Sequence, residues 1–199
     1  GITMLLNALS AMQLLVKSGE TYTNTEPADL FLSKSSDKYI GFMIMHHYHL
    51  VDSWHNMAEG ILSGKPVRER SSFSDEDRRE SFLMGMFNIG MATAPKVAEE
   101  IDLKGCTRLL DMGGGPGTFA IHFCMANPDL SAAVFDLETT RPFAEKTIAR
   151  FNLSDRIKFL PGDFTTGTPV DEKPFDAAWL SHILHGEGPD QAKRIIELS

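Results

Sequence analysis

The chain has 199 residues, 42% hydrophobic and 23% charged, a globular profile that excludes collagen, coiled coil and bulk disorder. Nineteen basic against 27 acidic residues leave a net charge of −8, so a phosphate-rich partner would need a local basic patch. The sequence offers none, and nucleic acid is not an expected partner. Cys106 and Cys124, with no paired-cysteine motif, point to free thiols and a reducing, cytoplasmic setting. No apolar run approaches the ~18 residues of a membrane span, so a soluble protein of one full domain or two small ones is expected.

In chain order, Met4, Leu5, Ala8, Leu9, Met12, Leu15 and Val16 recur at helical spacing, which predicts a helix ending near Lys17, with Gly19 as its stop. This start lacks a basic leader and a cleavage site, so it reads as an amphipathic helix and not a signal peptide. It opens in mid-pattern, which suggests that the natural chain starts earlier. The threonine-rich stretch Glu20–Thr25 suits a small hairpin or wing. A helix followed by a wing is a DNA-binding device, yet residues 1–34 hold only Lys17 and Lys34 as cations.

Between Ser36 and Leu62, the stripe Ile40, Met43, His47, Leu50 or Val51, Trp54, Met57 or Ala58, and Ile61 predicts one long core-facing helix, ended by Gly64-Lys-Pro66. His46, His47, His49 and His55 lie on it, but lack the i, i+4 spacing of helical zinc sites, so no metal is expected. Met43, Trp54, Met57 and Phe87 are candidates for an apolar pocket wall or for plain core. Ser74-Asp-Glu-Asp77 reads as a capping box opening a helix through Phe82, Leu83, Met86, Phe87 and Met91, kinked or interrupted at Pro95.

After Gly105 the apolar runs 108–112, 132–136, 157–160 and 175–180 alternate with helical patterns at 118–125 and 140–151. Alternation of this kind predicts an α/β fold with a parallel sheet between helices. Asp111-Met-Gly113-Gly-Gly115-Pro-Gly117 follows the first run and precedes a helix. A dinucleotide G-x-G-x-x-G fails at Thr118 in one register and meets Ala120 in the other. D-x-G-x-G-x-G fits without strain, and suits S-adenosylmethionine, which carries a sulfonium, an amino acid and a ribose but no phosphate. The glycines admit close backbone approach, the following helix N-terminus favours the ligand's carboxylate, and Asp111 can meet its ammonium group. Asp136 ends the second strand, where a carboxylate accepts ribose hydroxyls, and Asp163 with Phe164 follows the third, placed for the adenine. The expectation is of three carboxylates at one sheet edge.

These strings, with Asp155-Arg-Ile-Lys-Phe-Leu-Pro-Gly-Asp163-Phe164 and Ser181-His-Ile-Leu-His185, resemble successive motifs of S-adenosylmethionine-dependent O-methyltransferases of the plant-phenolic and hydroxyindole type. Phe87-Asn-Ile-Gly-Met91 is similar to the helix that reaches over donor and acceptor, and the helix-wing start to the end of the family's winged-helix dimerisation domain. The resemblance implies a Rossmann-like methyltransferase sheet in residues 99–199, preceded by a helical, winged-helix-type dimerisation and substrate-lining segment in 1–98, and a homodimer. It implies cofactor contacts from Gly113, Gly115, Asp136, Asp163, Phe164 and Ser181 beside Asp111, with Phe87, Met91 and His182 near the substrate. His185 corresponds to the family's catalytic histidine.

A phenol, with a pKa near ~10, is a poor nucleophile at neutral pH, and a histidine base corrects that by taking its proton. His182 is the rival base. Relatives carry a basic residue at position 181 and an acidic one at 186, here Ser181 and Gly186, which keeps open an inactive S-adenosylmethionine-binding protein. A winged-helix regulator is the third reading. Only four strands are counted where the family has seven, so a piece of a longer chain, or a second copy supplying the sheet edge, is expected.

Overall fold

The computed structural model describes residues 1–67, 75–167, 169, 171 and 173–199. Two compact units divide it, Gly1–Val67 and Arg68–Ser199, and the long helix before residue 100 groups with the sheet in the second.

In the first unit α1 (Ile2–Ala11) stops earlier than its apolar spacing implies. Gln13 takes a left-handed φ of 61°, the chain turns, and Leu15 and Val16 enter β1 (Leu15–Ser18) instead of extending the helix. β1 pairs antiparallel with β2 (Thr21–Asn24) around Gly19, whose φ of +59° suits a tight hairpin turn. The wing is present, and starts at Leu15 instead of Glu20. Asn7 Oδ1 ties α1 to it, accepting from Tyr22 Oη at 2.7 Å and Lys17 Nζ at 2.9 Å. Thr25 then caps α2 (Glu26–Leu32), accepting from the Ala28 N–H.

The stripe from Ile40 to Ile61 does not form one core-facing helix. It divides at Asn56 into α3 (Gly41–His55) and α4 (Met57–Ser63). Ile40, Val51, Trp54, Met57 and Ile61 are exposed, Trp54 by 68%, while Gly41 and His46 are the buried residues of α3. The physical reason is size: so small a unit cannot surround a helix on every side that its sequence makes apolar. Trp54 and Met57 are accordingly neither core nor pocket wall here. His47 Nδ1 lies 2.9 Å from the Met43 carbonyl. Among the described residues no group of three or more His, Cys, Asp or Glu is placed to hold a metal ion, and no helix is long and apolar enough to cross a membrane.

The second unit opens with α5 (Glu76–Glu100), capped by Asp75, whose carboxylate accepts the Arg78 N–H at 3.0 Å. Ser74, expected as the cap, lies outside the described residues. Pro95 sits inside α5, which runs on to Glu100, so of the two expected outcomes the interruption does not occur. The sheet runs in the order β5-β4-β3-β6, all parallel, with β3 at Arg108–Met112, β4 at Ser131–Asp136, β5 at Ile157–Pro161 and β6 at Ala177–Trp179. Two more helices, α6 (Thr118–Ala126) and α7 (Arg141–Arg150), make the crossovers, and α8 (Pro189–Leu198) follows β6.

One face of the sheet packs Leu109, Ala132, Val134, Ile157 and Phe159 against Ile121, Phe123 and Cys124 of α6 and Ala144 and Ile148 of α7. The other packs Leu110, Met112, Ala133 and Phe135 against Ile195 of α8. β6 is shorter than the run 175–180 because the Asp176 carboxylate binds the start of β3 instead, accepting from the Thr107 N–H, the Thr107 hydroxyl and the Arg108 N–H at 2.7–2.9 Å. Its three residues are half-buried.

The strand order reverses between β3 and β6, the position at which an open parallel sheet leaves a crevice beyond its carboxyl ends. Ile195, fully buried and the one buried residue of α8, fixes that helix to the sheet. Replacing it with Ala should lower unfolding stability by about 3 kcal/mol, measured by urea denaturation. An unchanged midpoint would contradict the packing.

Candidate active site at the carboxyl ends of the strands

The glycine turn is built from both ends. Gly113 continues the ladder, its N–H donating to the Phe135 carbonyl at 2.8 Å, and Gly117 closes the turn on the Gly114 carbonyl at 2.9 Å. Gly113, Gly115 and Gly117 have φ of +65°, +53° and +77°, backbone that residues with a Cβ rarely adopt. Gly117 also starts α6, whose first N–H groups face the turn.

Asp111 lies one residue before the end of β3, buried, and its carboxylate accepts the Ala120 N–H at 3.2 Å. A Cβ on Gly114 would stand 2.6 Å from its Cγ, so the glycine turn lies over the carboxylate. Asp111 therefore props the turn from beneath and does not face solvent. Asp136 is the bridge from β4: its Oδ2 accepts the Gly115 N–H at 2.8 Å, and its Oδ1 the Leu137 N–H at 2.7 Å and the Thr140 hydroxyl at 3.1 Å. Asp163 Oδ1 accepts from the Thr165 N–H and hydroxyl at 2.8 and 2.6 Å. Phe164 and Ile183 close on Gly113, where a Cβ would meet Ile183 Cγ2 at 2.6 Å and Phe164 Cε1 at 3.0 Å.

Burial pushes the Asp111 carboxyl up to about 7, against the pull of the Ala120 N–H, and the Asp136 charge adds to the rise. Asp136 is also raised, by burial first, against three hydrogen bonds, with Asp163 adding repulsion. Among the described residues no cationic side chain enters either balance.

Ser181, half-buried, follows β6, and His182 has a left-handed φ of 55°. His185 sits in a single 3-10 turn, Leu184–Gly186, exposed, with its ring centroid 6.2 Å from that of His182. The structure thus gathers Asp111, Gly113, Gly115, Asp136, Asp163 and Phe164, and brings the segment of Ser181, His182 and His185 to Gly113 through Ile183. Phe87 and Met91, on α5, make contacts of their own. Phe87 is buried with its ring 6.5 Å from that of Phe151, and Met91 Sδ is 3.3 Å from His122 Nε2. Leu83, one turn before Phe87, is the α5 residue nearest the site, 3.7 Å from where a Gly115 Cβ would be. Sequence reasoning missed Leu83, Ile183 and Thr140; the position of Thr140 at the entry to the helix after Asp136 was the one available signal.

A family model described as an O-methyltransferase domain matches residues 56–197. The chain belongs to that family. Over 97% of its length this O-methyltransferase family member is 31% identical to the 3-hydroxy-5-methyl-1-naphthoate 3-O-methyltransferase of Streptomyces sahachiroi, and spans 57% of that protein. An O-methyltransferase family protein from Burkholderia thailandensis superimposes with a TM-score of 0.81 at 28% identity, covering 98% of this chain and 59% of its own. Human N-acetylserotonin methyltransferase, solved in complex with SAM, shares the fold with a TM-score of 0.76 at 22% identity, over 98% of this chain and 59% of its own.

The raised Asp111 carboxyl has a direct consequence for stability. Between pH ~4 and 7 the native state holds a proton that the unfolded chain has released, so this group's contribution makes stability fall as pH rises through that window. Asp111→Asn keeps an acceptor for the Ala120 N–H and removes the titration. The variant should lose less stability than the parent between pH 5 and 8, by at most about 3 kcal/mol, in urea unfolding at both values.

Proposed function

We propose that the chain is the donor-binding part of an S-adenosylmethionine-dependent O-methyltransferase acting on a hydroxyl of a small aromatic molecule. The observation that carries this reading is the group of Asp111, Asp136 and Asp163 around a glycine turn, with Asp136 repelled by Asp163 and repelling Asp111, and with no cationic side chain among the described residues in the balance of the two buried ones. Such a site favours a cation. A nucleotide diphosphate would meet carboxylates where it needs positive charge. The identity of the Streptomyces relative, and the SAM-bound state of the human one, support the same reading.

Donor binding then divides among the residues as follows. Asp136 presents the carboxylate nearest the turn, held in place by Gly115, Leu137 and Thr140. Gly113 and Gly115 offer backbone at close range, Phe164 an apolar face beside Gly113, and Asp163 a further acceptor. Asp111 acts from beneath by shaping the turn, and Ser181 stands at the end of β6. Bound S-adenosylmethionine supplies an activated methyl group on a sulfonium. His185 takes the proton of the acceptor hydroxyl on a ring nitrogen, which makes the oxygen a competent nucleophile. His182 borders the acceptor, and Phe164 and Ile183 limit water at the turn. Phe87 and Met91 bear on the substrate through the seating of α5. No metal is invoked.

Residues 1–98 serve dimerisation and substrate lining and 99–199 hold the donor. Ile2, Met4, Leu5, Trp54, Ile61 and Leu62 in the first unit are exposed apolar side chains of the kind that a second copy would cover in a homodimer. The free thiols of Cys106 and Cys124 suit a reducing cytoplasm.

Titration calorimetry with S-adenosylmethionine should show binding, and Asp136→Asn should weaken it by about tenfold or more. No heat with the parent chain would sink the reading. With a panel of phenolic acceptors, His185→Ala should lower turnover by ~10²–10⁴-fold while leaving donor affinity nearly intact. Undiminished turnover would remove His185 as the base, and donor binding without turnover in the parent would favour an inactive binding protein.

A further inference from the structure

We infer that Ile183 is a positioning residue, whose Cγ2 methyl against Gly113 sets the distance between the donor-binding turn and His185. This rests on the proposed function, since it concerns how donor site and base are held together.

The approach is one that a side chain at position 113 would block. A Cβ at Gly113 would lie 2.6 Å from Ile183 Cγ2, a separation real Cβ atoms do not show, so the two segments meet as closely as they do only because position 113 has no side chain. Gly113 is simultaneously fixed in the sheet by its N–H bond to the Phe135 carbonyl. It is a rigid stop. Ile183 stands two residues before His185, and the intervening chain is short and turned: the 3-10 element Leu184–Gly186 closes with the Gly186 N–H on the Ile183 carbonyl at 3.3 Å. Whatever places Ile183 therefore places the His185 backbone within a few bonds.

Backbone conformation points the same way. His182 adopts a φ of 55°, which is uncommon and mildly costly for a residue with a side chain. The reversal there leaves His182 and His185 exposed and Ile183 half-buried against Gly113, beside Phe164. The strand order adds the reason that the two segments can meet at all. β3 and β6 are neighbours, and the turns that leave their carboxyl ends are those carrying Gly113 and Ile183.

A plain packing role for Ile183, which borders the Leu110, Met112 and Phe135 cluster, makes a different prediction from a spacing role. Leucine has the same volume as isoleucine but branches at Cγ, so it has no methyl at the Cγ2 position. Valine is smaller by one methylene and keeps that methyl. Packing alone ranks Ile183→Leu at least equal to Ile183→Val, and spacing reverses the order.

The test titrates the parent, Ile183→Val and Ile183→Leu with S-adenosylmethionine and follows the His185 imidazole Hε1 proton by NMR, assigned by its absence in His185→Ala. Calorimetry gives donor affinity and thermal unfolding the folded state of each. The parent should show a donor-induced shift of the His185 signal. Ile183→Val should retain it, and Ile183→Leu should lose at least half of it, with donor affinity within about threefold in all. In turnover, Ile183→Leu should lower kcat about tenfold with little change in the donor KM, and Ile183→Val should keep most of the parent's kcat. A full shift in Ile183→Leu, a lost one in Ile183→Val, or none in a parent that binds the donor would overturn the inference alone. A parent that binds no donor would overturn the proposed function and this inference with it.

Discussion

The hydrogen bond from the Gly115 N–H to Asp136 Oδ2 is the constraint on which the site turns. It joins the turn after β3 to the end of β4, and so fixes the glycine backbone to a carboxylate that is itself held by Leu137 and Thr140. A carboxylate with three donors stays ionised more readily than its burial would allow. Here burial still wins, and the raised carboxyls of Asp111 and Asp136 record an unfavourable field that a bound cation would relieve. The fold thus keeps negative potential in reserve at one edge of the sheet. It does so by topology, because parallel strands end together.

Packing supports that arrangement from both faces. On one, α5 lies along α6, and close approach is possible because Gly90 meets Thr118, where a Cβ would stand 3.0 Å from the Thr118 methyl. The same approach brings Leu83 to the glycine turn and buries Phe87 near Phe151. On the other face, α8 is held through Ile195, while its Gln191 reaches the Thr165 carbonyl at 3.0 Å, next to Asp163. Pro116 is secured from α7 by the Thr147 hydroxyl. The turn is accordingly contacted by α5, α7 and β4, and each contact restricts it.

The strands were legible because a buried parallel strand is a short apolar run, and such runs at 108–112, 132–136 and 157–160 have no competing period. The site was legible where chemistry and spacing coincide: the glycines with Asp111, and carboxylates at successive strand ends. Leu15 and Val16 were misread because their spacing satisfies a helix as well as a hairpin, and the left-handed Gln13 that decides between them carries no glycine to mark it. The Ile40–Ile61 stripe failed differently: periodicity shows that a face is apolar, not that anything covers it. The contacts of Phe87 with Phe151 and of Met91 with His122 were not legible either, since apolar spacing along a helix does not name the partner.

Distance across the crevice is a separate matter from affinity. Carboxylates and glycines can hold a donor without controlling where a base stands, because the proposed base, His185, belongs to a different strand's exit and is exposed. Two features break that independence: the missing side chain at Gly113 and the left-handed His182. Each is unfavourable to folding on its own, glycine through the entropy it loses and His182 through its backbone strain. Together they let an apolar methyl rest on a hydrogen-bonded turn, which is a stiffer spacer than a long polar side chain would be, since a packed β-branched residue has few rotamers to exchange. Rigidity between donor site and base is what alignment of oxygen, methyl and sulfur demands, because a displacement of about 1 Å can cost ~10²-fold in rate.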